Sequence, residues 1–314
     1  MGTYCVKGQT YTLAMGDDFQ SDTGINENNG IVPGKVNLTS GTGQTISGTI
    51  PSFSTQLWWG SRGGGSAYFM DPTLTGGYNP FSLATDPDGG RSLHIGTEKI
   101  PSQYAGNYSG FNWWTGNLNS PGLTYGYAHA IVSAPINDLN GWHTGGFWFG
   151  SGLSQTAPSP DLNEVDVFEV YGQQGNNFLS GYSPTTLDHL TVHLGGYGAG
   201  SAQSLGGWGT TGATTGWPPS QGQDLGTTFH DYAMLWTPTY VEMYIDGVPK
   251  TIWNGASTQF NATTVTQMFA IMNIYIDGSN GAAAPTTAGY LAERQFAWYQ
   301  LPSNPASCSG GITQ

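Results

Sequence analysis

Apolar residues in this chain come in short β-prone runs, each broken by Gly, Pro, Asn or Asp. The runs are Ser92–Ile95, Tyr125–Ser133, Gly146–Phe149, Glu164–Tyr171, Thr191–Leu194, Tyr232–Trp236, Val241–Ile245, Met268–Ile276 and Gln295–Leu301. Asp246-Gly247, between Tyr240–Ile245 and Val248–Ile252, predicts a tight hairpin turn. Helical periodicity is nearly absent. Strands this short and numerous bury their apolar faces most simply as two packed antiparallel sheets. The expectation is one all-β sandwich over residues 1–314, without a linker. Gly60–Ser66 and Leu194–Pro219 are rich in Gly and Ser, but Trp58, Trp59, Trp208 and Trp217 lie in or beside them. Long loops that carry tryptophan in a compact domain suit binding better than linking. The tail from Pro302 to Gln314 reads as irregular apart from Cys308.

Composition narrows the partners. Charged residues are 9% of the 314, against ~25% in an average soluble domain. The net charge of −13 reflects only 7 Lys plus Arg more than the 20 acids. No cluster of bases is available for phosphate, which disfavours nucleic acid and anionic membrane surfaces as partners, and neutral hydroxyl-rich partners fit best. The apolar runs are too short for a membrane span. Met1-Gly2 opens on neither a basic stretch nor an apolar one, so no signal peptide is expected in this sequence. Cys5 and Cys308 sit at opposite ends of the chain; a bridge between them would close nearly all of it into one loop, the alternative being two free thiols. Three glycosylation sequons, at Asn37, Asn107 and Asn261, add to the expectation of a secreted protein.

The segment Asn163–Tyr171 carries the most chemistry. On an alternating strand Glu164 and Asp166 share one face and Val165 and Val167 the other. Continued alternation would turn Glu169 inward as an unpaired buried charge. One inserted residue near Val167-Phe168, a β-bulge, returns Glu169 to the acidic face. Glu164 and Glu169 then lie about four strand steps apart, ~13 Å between Cα atoms. Leaning toward each other, their carboxyls can approach the ~5–5.5 Å of retaining glycosidases, one attacking and the other supplying a proton. Asp166 between them would hold the nucleophile and keep the two titrations apart. Taken alone, the acids also fit a solvated edge strand or a Ca²⁺ site.

Glu164-Val165-Asp166-Val167-Phe168-Glu169 resembles the ExDxxE motif of the bulged branch of glycoside hydrolase family 16, the laminarinase, lichenase and agarase group. The likeness runs along most of the chain. Asp17-Asp18-Phe19, Asn79-Pro80-Phe81-Ser82-Leu83 with Gly90–Ile95, Tyr125-Gly126-Tyr127, Gly146–Phe149, Phe229–Pro238 running into Tyr244–Gly247, and Met272–Tyr275 are similar to family segments in the same order. The Asn79–Leu83 segment leans toward the bacterial exopolysaccharide glycanases of the family. The resemblance implies a concanavalin A-like jelly roll with a concave cleft for a β-linked polysaccharide. It implies Glu164 as nucleophile, Asp166 as its assistant and Glu169 as acid/base, with His193, Asn273 and Tyr275 beside the substrate. Where the family has Glu and Arg reaching the substrate, this chain has His129 and Ile131, and Thr144-Gly145-Gly146 replaces the usual Trp-Pro-Ala. Gln295 stands where many members have an Asp that helps hold a structural Ca²⁺, which leaves that ion in doubt; no other cofactor is implied.

Sugar stacking is expected from two or three of Trp113, Trp114, Trp142, Trp148, Trp208 and Trp217, with Trp148 the one most suited to the core between Phe147 and Phe149. The leading reading is a secreted, monomeric, endo-acting retaining hydrolase of a β-1,3- or β-1,3/1,4-glucan or a related exopolysaccharide. A polysaccharide-binding protein on the same sandwich, or a transglycosylase using the same acids, are the alternatives.

Overall fold

Alternation of apolar and polar residues puts one face of each strand into a shared core, and the strands assemble as expected, in two main sheets. The computed structural model describes residues 2–27, 30–40, 46–47, 49–57, 60–134, 142–151, 163–171, 188–193, 216–217, 228–254, 267–276 and 285–312. Among the described residues the front sheet has eight strands, in the order Thr191–His193, Asn163–Tyr171, His143–Ser151, Phe269–Tyr275, Asn117–Asn119, Phe53–Ser54, Val36–Thr39 and Ile25–Asn26. The back sheet has nine. Seven run Thr3–Val6, Gln9–Asp17, Tyr290–Gln300, Gly126–Ser133, His230–Trp236, Val241–Ile245 and Val248–Trp253, and the hairpin Phe81–Thr85/Arg91–Gly96 joins through the first half of Tyr290–Gln300. Both sheets are largely antiparallel, with parallel pairing confined in the front sheet to its Ile25–Ser54 end. Among the described residues the only helix is a 3-10 turn, Ser102–Tyr104, and no helix is long and apolar enough to cross a membrane.

The main core lies between the sheets. The back sheet sends in Ala128, Ala130, Val132, Tyr232, Met234, Phe296 and Trp298; the front sheet answers with Phe147, Phe149, Val165, Val167, Phe168, Val170, Met272 and Ile274. Fully burying each large apolar side chain contributes roughly 1.5–3 kcal/mol, so this layer supplies most of the driving force. The hairpin at Asp246-Gly247 forms as expected: φ values of 52° and 73° match the primed turn that follows the right-handed strand twist.

A second apolar layer covers the outer face of the back sheet. Tyr4, Val6 and Tyr11 from the N-terminal hairpin and Ile312 from the tail pack on Tyr127, Tyr244 and Tyr299. Cys5 and Cys308 are bridged, with Cα atoms 5.9 Å apart. The tail is irregular, as its sequence predicts, yet it is tied down: Cys308 N–H donates to Gly8 O at 3.0 Å and Ile312 N–H to Cys5 O at 3.1 Å.

Several expectations change. His129 and Ile131 do not approach the front sheet's outer face, because Gly126–Ser133 belongs to the back sheet. His129 instead stacks with Tyr4 and Tyr127, and its Nδ1 lies 2.9 Å from an Asp231 carboxyl oxygen. Asn37 is fully buried, its carbonyl oxygen accepting from Val32 N–H and its amide donating to Lys35 O, so that sequon carries no glycan in the folded chain. Asn107 is exposed, and Asn261 lies outside the described residues.

Candidate active site

The acidic strand bulges where its parity requires. Val165, Val167, Phe168 and Val170 all enter the main core, two consecutive residues pointing the same way at 167 and 168. Against His143–Ser151, Glu169 pairs with Gly145, Phe168 with Phe147 and Asp166 with Trp148, so the register slips past Gly146 on one strand and Val167 on the other. Glu164, Asp166 and Glu169 are thereby left on the outer face of the front sheet, each less than a tenth exposed.

Two glycines make this arrangement possible. A Cβ on Gly146 would overlap the Phe168 ring and lie 3.2 Å from Leu291. A Cβ on Gly145 would lie 2.6 Å from Trp148 Nε1 and 2.9 Å from Asn273 Oδ1. The Gly145-Gly146 pair therefore clears room for Phe168 on the core side and for the Trp148–Asn273 contact on the front side.

Around Glu169 the front face is crowded with polar partners. His143 Nε2 lies 2.8 Å from Glu169 Oε1, and Tyr275 Oη lies 3.5 Å from the same nitrogen. The His143 and Tyr275 rings are 4.3 Å apart. Asn273 donates through Nδ2 to Asn117 Oδ1 at 3.1 Å and accepts from Trp148 Nε1 at 3.4 Å. Trp148 packs with Leu57, Phe69, Phe269 and Ile271 in a separate apolar cluster on this side of the sheet. At the other end of the acidic strand, the backbone of His193 pairs with Glu164.

Of the residues expected at the site, the front sheet brings Glu164, Asp166, Glu169, Asn273 and Tyr275 onto one face and places His193 at the register position beside Glu164. Trp113 and Trp142 are corrections. Both lie in the main core, their rings edge to face at 5.0 Å, and Trp142 Nε1 donates to Thr287 O. Trp114 is buried too, in a satellite cluster with Met70, Ile100 and Tyr108. Trp148 reverses its expected place, facing the front instead of the main core. Trp208 lies outside the described residues, and Trp217 is described only as a strand position pairing with Asp188. His143 and Asn117 were not singled out by sequence. Parity offers the signal for His143: if Trp142 points into the core, its neighbour points out.

Gln295, the position that leaves a structural Ca²⁺ in doubt, pairs with Ile131 in the back sheet, and the neighbouring Arg294 guanidinium lies 3.0 Å from Asp86 and also reaches Asp88. Among the described residues no group of three His, Cys, Asp or Glu side chains is placed to hold a metal.

Two facing sheets with three acids on the outer face of one define a jelly-roll β-sandwich with a candidate active site on its front sheet. Residues 114–299 match the sequence profile of glycosyl hydrolases family 16, well over half the chain, and the chain belongs to that family. No curated sequence is a significant match. Solved structures give the same fold at low identity. The catalytic domain of the laminarinase from Thermotoga maritima MSB8 is 16% identical, with 94% of this chain and 99% of that one covered and a TM-score of 0.58. The endo-β-1,3-glucanase from Pyrococcus furiosus is 15% identical over 97% and 100%, with a TM-score of 0.59. Porphyranase B from Zobellia galactanivorans is 18% identical over 93% of each chain, with a TM-score of 0.60.

Proposed function

We propose that this chain is an endo-acting, retaining glycoside hydrolase that cuts internal β-linkages of a neutral polysaccharide. The observation that carries the proposal is the double register slip, which leaves Glu164, Asp166 and Glu169 together on one face while four neighbouring side chains fill the core. Three acids gathered in a chain so poor in charge are costly to fold, and catalysis is the usual return on that cost.

In the first half-reaction the Glu164 carboxylate attacks the anomeric carbon while Glu169 gives its proton to the departing glycosidic oxygen. Asp166, between them on the same face, orients Glu164. In the second half-reaction Glu169 takes a proton from water, whose oxygen displaces Glu164 and restores the sugar with its original configuration. Asn273 and Tyr275 are assigned to substrate contact from their places on the front face and His193 from its register position beside Glu164; Trp148, which faces the same side, joins them.

The substrate is assigned to the β-1,3- or mixed β-1,3/1,4-glucans, or an exopolysaccharide of similar backbone. The family supports a β-glycan, and the named neighbours include laminarinases. The disulfide suits an oxidising, extracellular setting. A single domain acting as a monomer completes the proposal. The test is reducing-end release from a β-glucan and galactan panel, with product anomers read by NMR. Retained configuration supports the assignment; inverted product overturns it. Binding without turnover would instead indicate a polysaccharide-binding protein, and transfer to added sugar a transglycosylase.

A further inference from the structure

His143 stands in a relation to Glu169 that none of the assignments above uses. It is 3% exposed and lies on the front face, with Nε2 2.8 Å from Glu169 Oε1. Its ring packs on Tyr275, 4.3 Å away between ring centres, whose phenol oxygen lies 3.5 Å from the same Nε2. Tyr275 is pinned in turn: a Cβ on Gly64 would sit 2.8 Å from Tyr275 Cβ and 2.9 Å from its ring, so the Gly63–Gly64 strand rests directly on it. The contacts form a chain from Gly64 through Tyr275 and His143 to Glu169. Among described side chains, the titratable groups facing His143 are Glu169 from the acidic strand and Tyr275 from the Phe269–Tyr275 strand.

Resting on the glycosidase reading, we propose that His143 is a positioning residue for the reaction, holding the Glu169 carboxyl by Oε1 through both halves of the cycle. Imidazole is suited to this because Glu169 must alternate between acid and carboxylate. With its proton on Nε2, His143 donates to Oε1 of the carboxylate and equally to Oε1 of the acid that carries its proton on Oε2, so the imidazole changes neither tautomer nor charge. One contact therefore keeps the carboxyl oriented in either charge state, and no proton is consumed or released over a turnover. A methyl-sized error in the placement of an acid/base group costs about 100-fold in rate, which is the scale of what orientation protects.

The experiment compares His143→Phe and His143→Gln with the parent protein on the polysaccharide it cuts and on an aryl glycoside whose leaving group needs no proton. His143→Phe keeps the ring packing on Tyr275 and loses the nitrogen. The expected result is a fall in kcat of roughly ten- to a hundredfold on polysaccharide with KM within about threefold, and a kcat–pH profile displaced by about half a unit or more. The loss of glycosylation rate on the aryl glycoside is much smaller, and His143→Gln, which retains an N–H donor, recovers part of the activity. Equal losses on both substrates, or an unchanged pH profile, overturn the proposal. A second arm needs no turnover. In ¹⁵N-resolved imidazole spectra, Glu169→Gln shifts the His143 Nε2 resonance and leaves those of His94 and His230 in place. An unmoved His143 resonance overturns the contact itself. A protein that cuts nothing while showing that shift would fail the glycosidase reading and keep the pairing.

Discussion

The bulge can be tested at one methyl group. In Gly146→Ala the new Cβ overlaps Phe168 Cδ1, lies 2.6 Å from Cε1 and meets Leu291 Cδ1 at 3.2 Å. Phe168 and Leu291 are both fully buried in the main core, so neither has free space to retreat into. Gly146 carries no left-handed backbone angle, which leaves sterics as the sole source of the effect. Overpacking of this kind costs about 1–3 kcal/mol, and in a chain of this size ~2 kcal/mol lowers the melting temperature by roughly 4 °C. The activity loss should be larger than the stability loss suggests. Relief requires Phe168 to move, and Glu169 is the next residue, so a displacement near 1 Å at its carboxyl translates into about a 100-fold fall in turnover. The assay pairs thermal unfolding with reducing-end release at a temperature well below the transition. Gly146→Ala/Phe168→Leu removes ring atoms from the overlap, and should recover at least about 1 kcal/mol of the stability as a positive coupling. Wild-type melting and turnover in Gly146→Ala, or additive losses in the double variant, would refute the steric account of the bulge.

Three further outcomes follow from the same structure. Glu169→Gln stops turnover of polysaccharide, and azide partly restores cleavage of an aryl glycoside, whereas Asp166→Asn costs less than either glutamate change; equal losses at all three positions would contradict the roles. Cys5→Ser opens a bridge spanning 303 residues of sequence. Chain entropy puts the loss at about 6 kcal/mol and native-state effects reduce it toward ~2 kcal/mol, so the denaturant midpoint drops while turnover at 25 °C is kept, the bridge lying on the back sheet; an unchanged midpoint would show the tail held by its backbone bonds alone. Burial, with the Asp22 carboxyl beside it, pushes Asp17 up to about 8, and burial takes Asp22 to about 6. Folding therefore binds protons above the ordinary carboxylate pKa, and stability falls as pH rises from about 4 to 8. Asp17→Asn removes that burden and gains up to about 6 kcal/mol at pH 8 relative to pH 4; parallel stability curves for the two proteins would contradict it.

Much of the sandwich was legible because strand alternation is a local signal. The Asp246-Gly247 turn and the strands flanking it needed only turn chemistry. The bulge was legible for a related reason: Glu164, Asp166 and Glu169 cannot share a face without an extra residue, and burying one of them unpaired is expensive. The same parity logic stopped at Gly145-Gly146. There the partner strand slips as well, reversing the faces beyond it, so that Phe147 enters the core and Trp148 turns to the front. Trp113 and Trp142 misled because a tryptophan beside a loop gives the same local signal whether it fills the core or meets a ligand. The stacking of His129 on Tyr4 and Tyr127 was not legible, because a strand's pattern says which face is buried, not which sheet the strand joins. The pairing of His143 with Glu169 is a cross-strand contact, and only the register of the two strands brings it about.

The most direct test of the whole account is a polysaccharide panel with reducing-end detection, comparing the parent protein with Glu164→Gln. The panel holds laminarin, barley β-glucan, agarose, carrageenan and a succinoglycan-type exopolysaccharide. The account predicts new reducing ends from a neutral β-glucan or related exopolysaccharide, little from carrageenan, and none from Glu164→Gln, because an amide cannot attack the anomeric carbon. Equal release by Glu164→Gln and the parent, or silence across the panel with tight binding to one polymer, would contradict it.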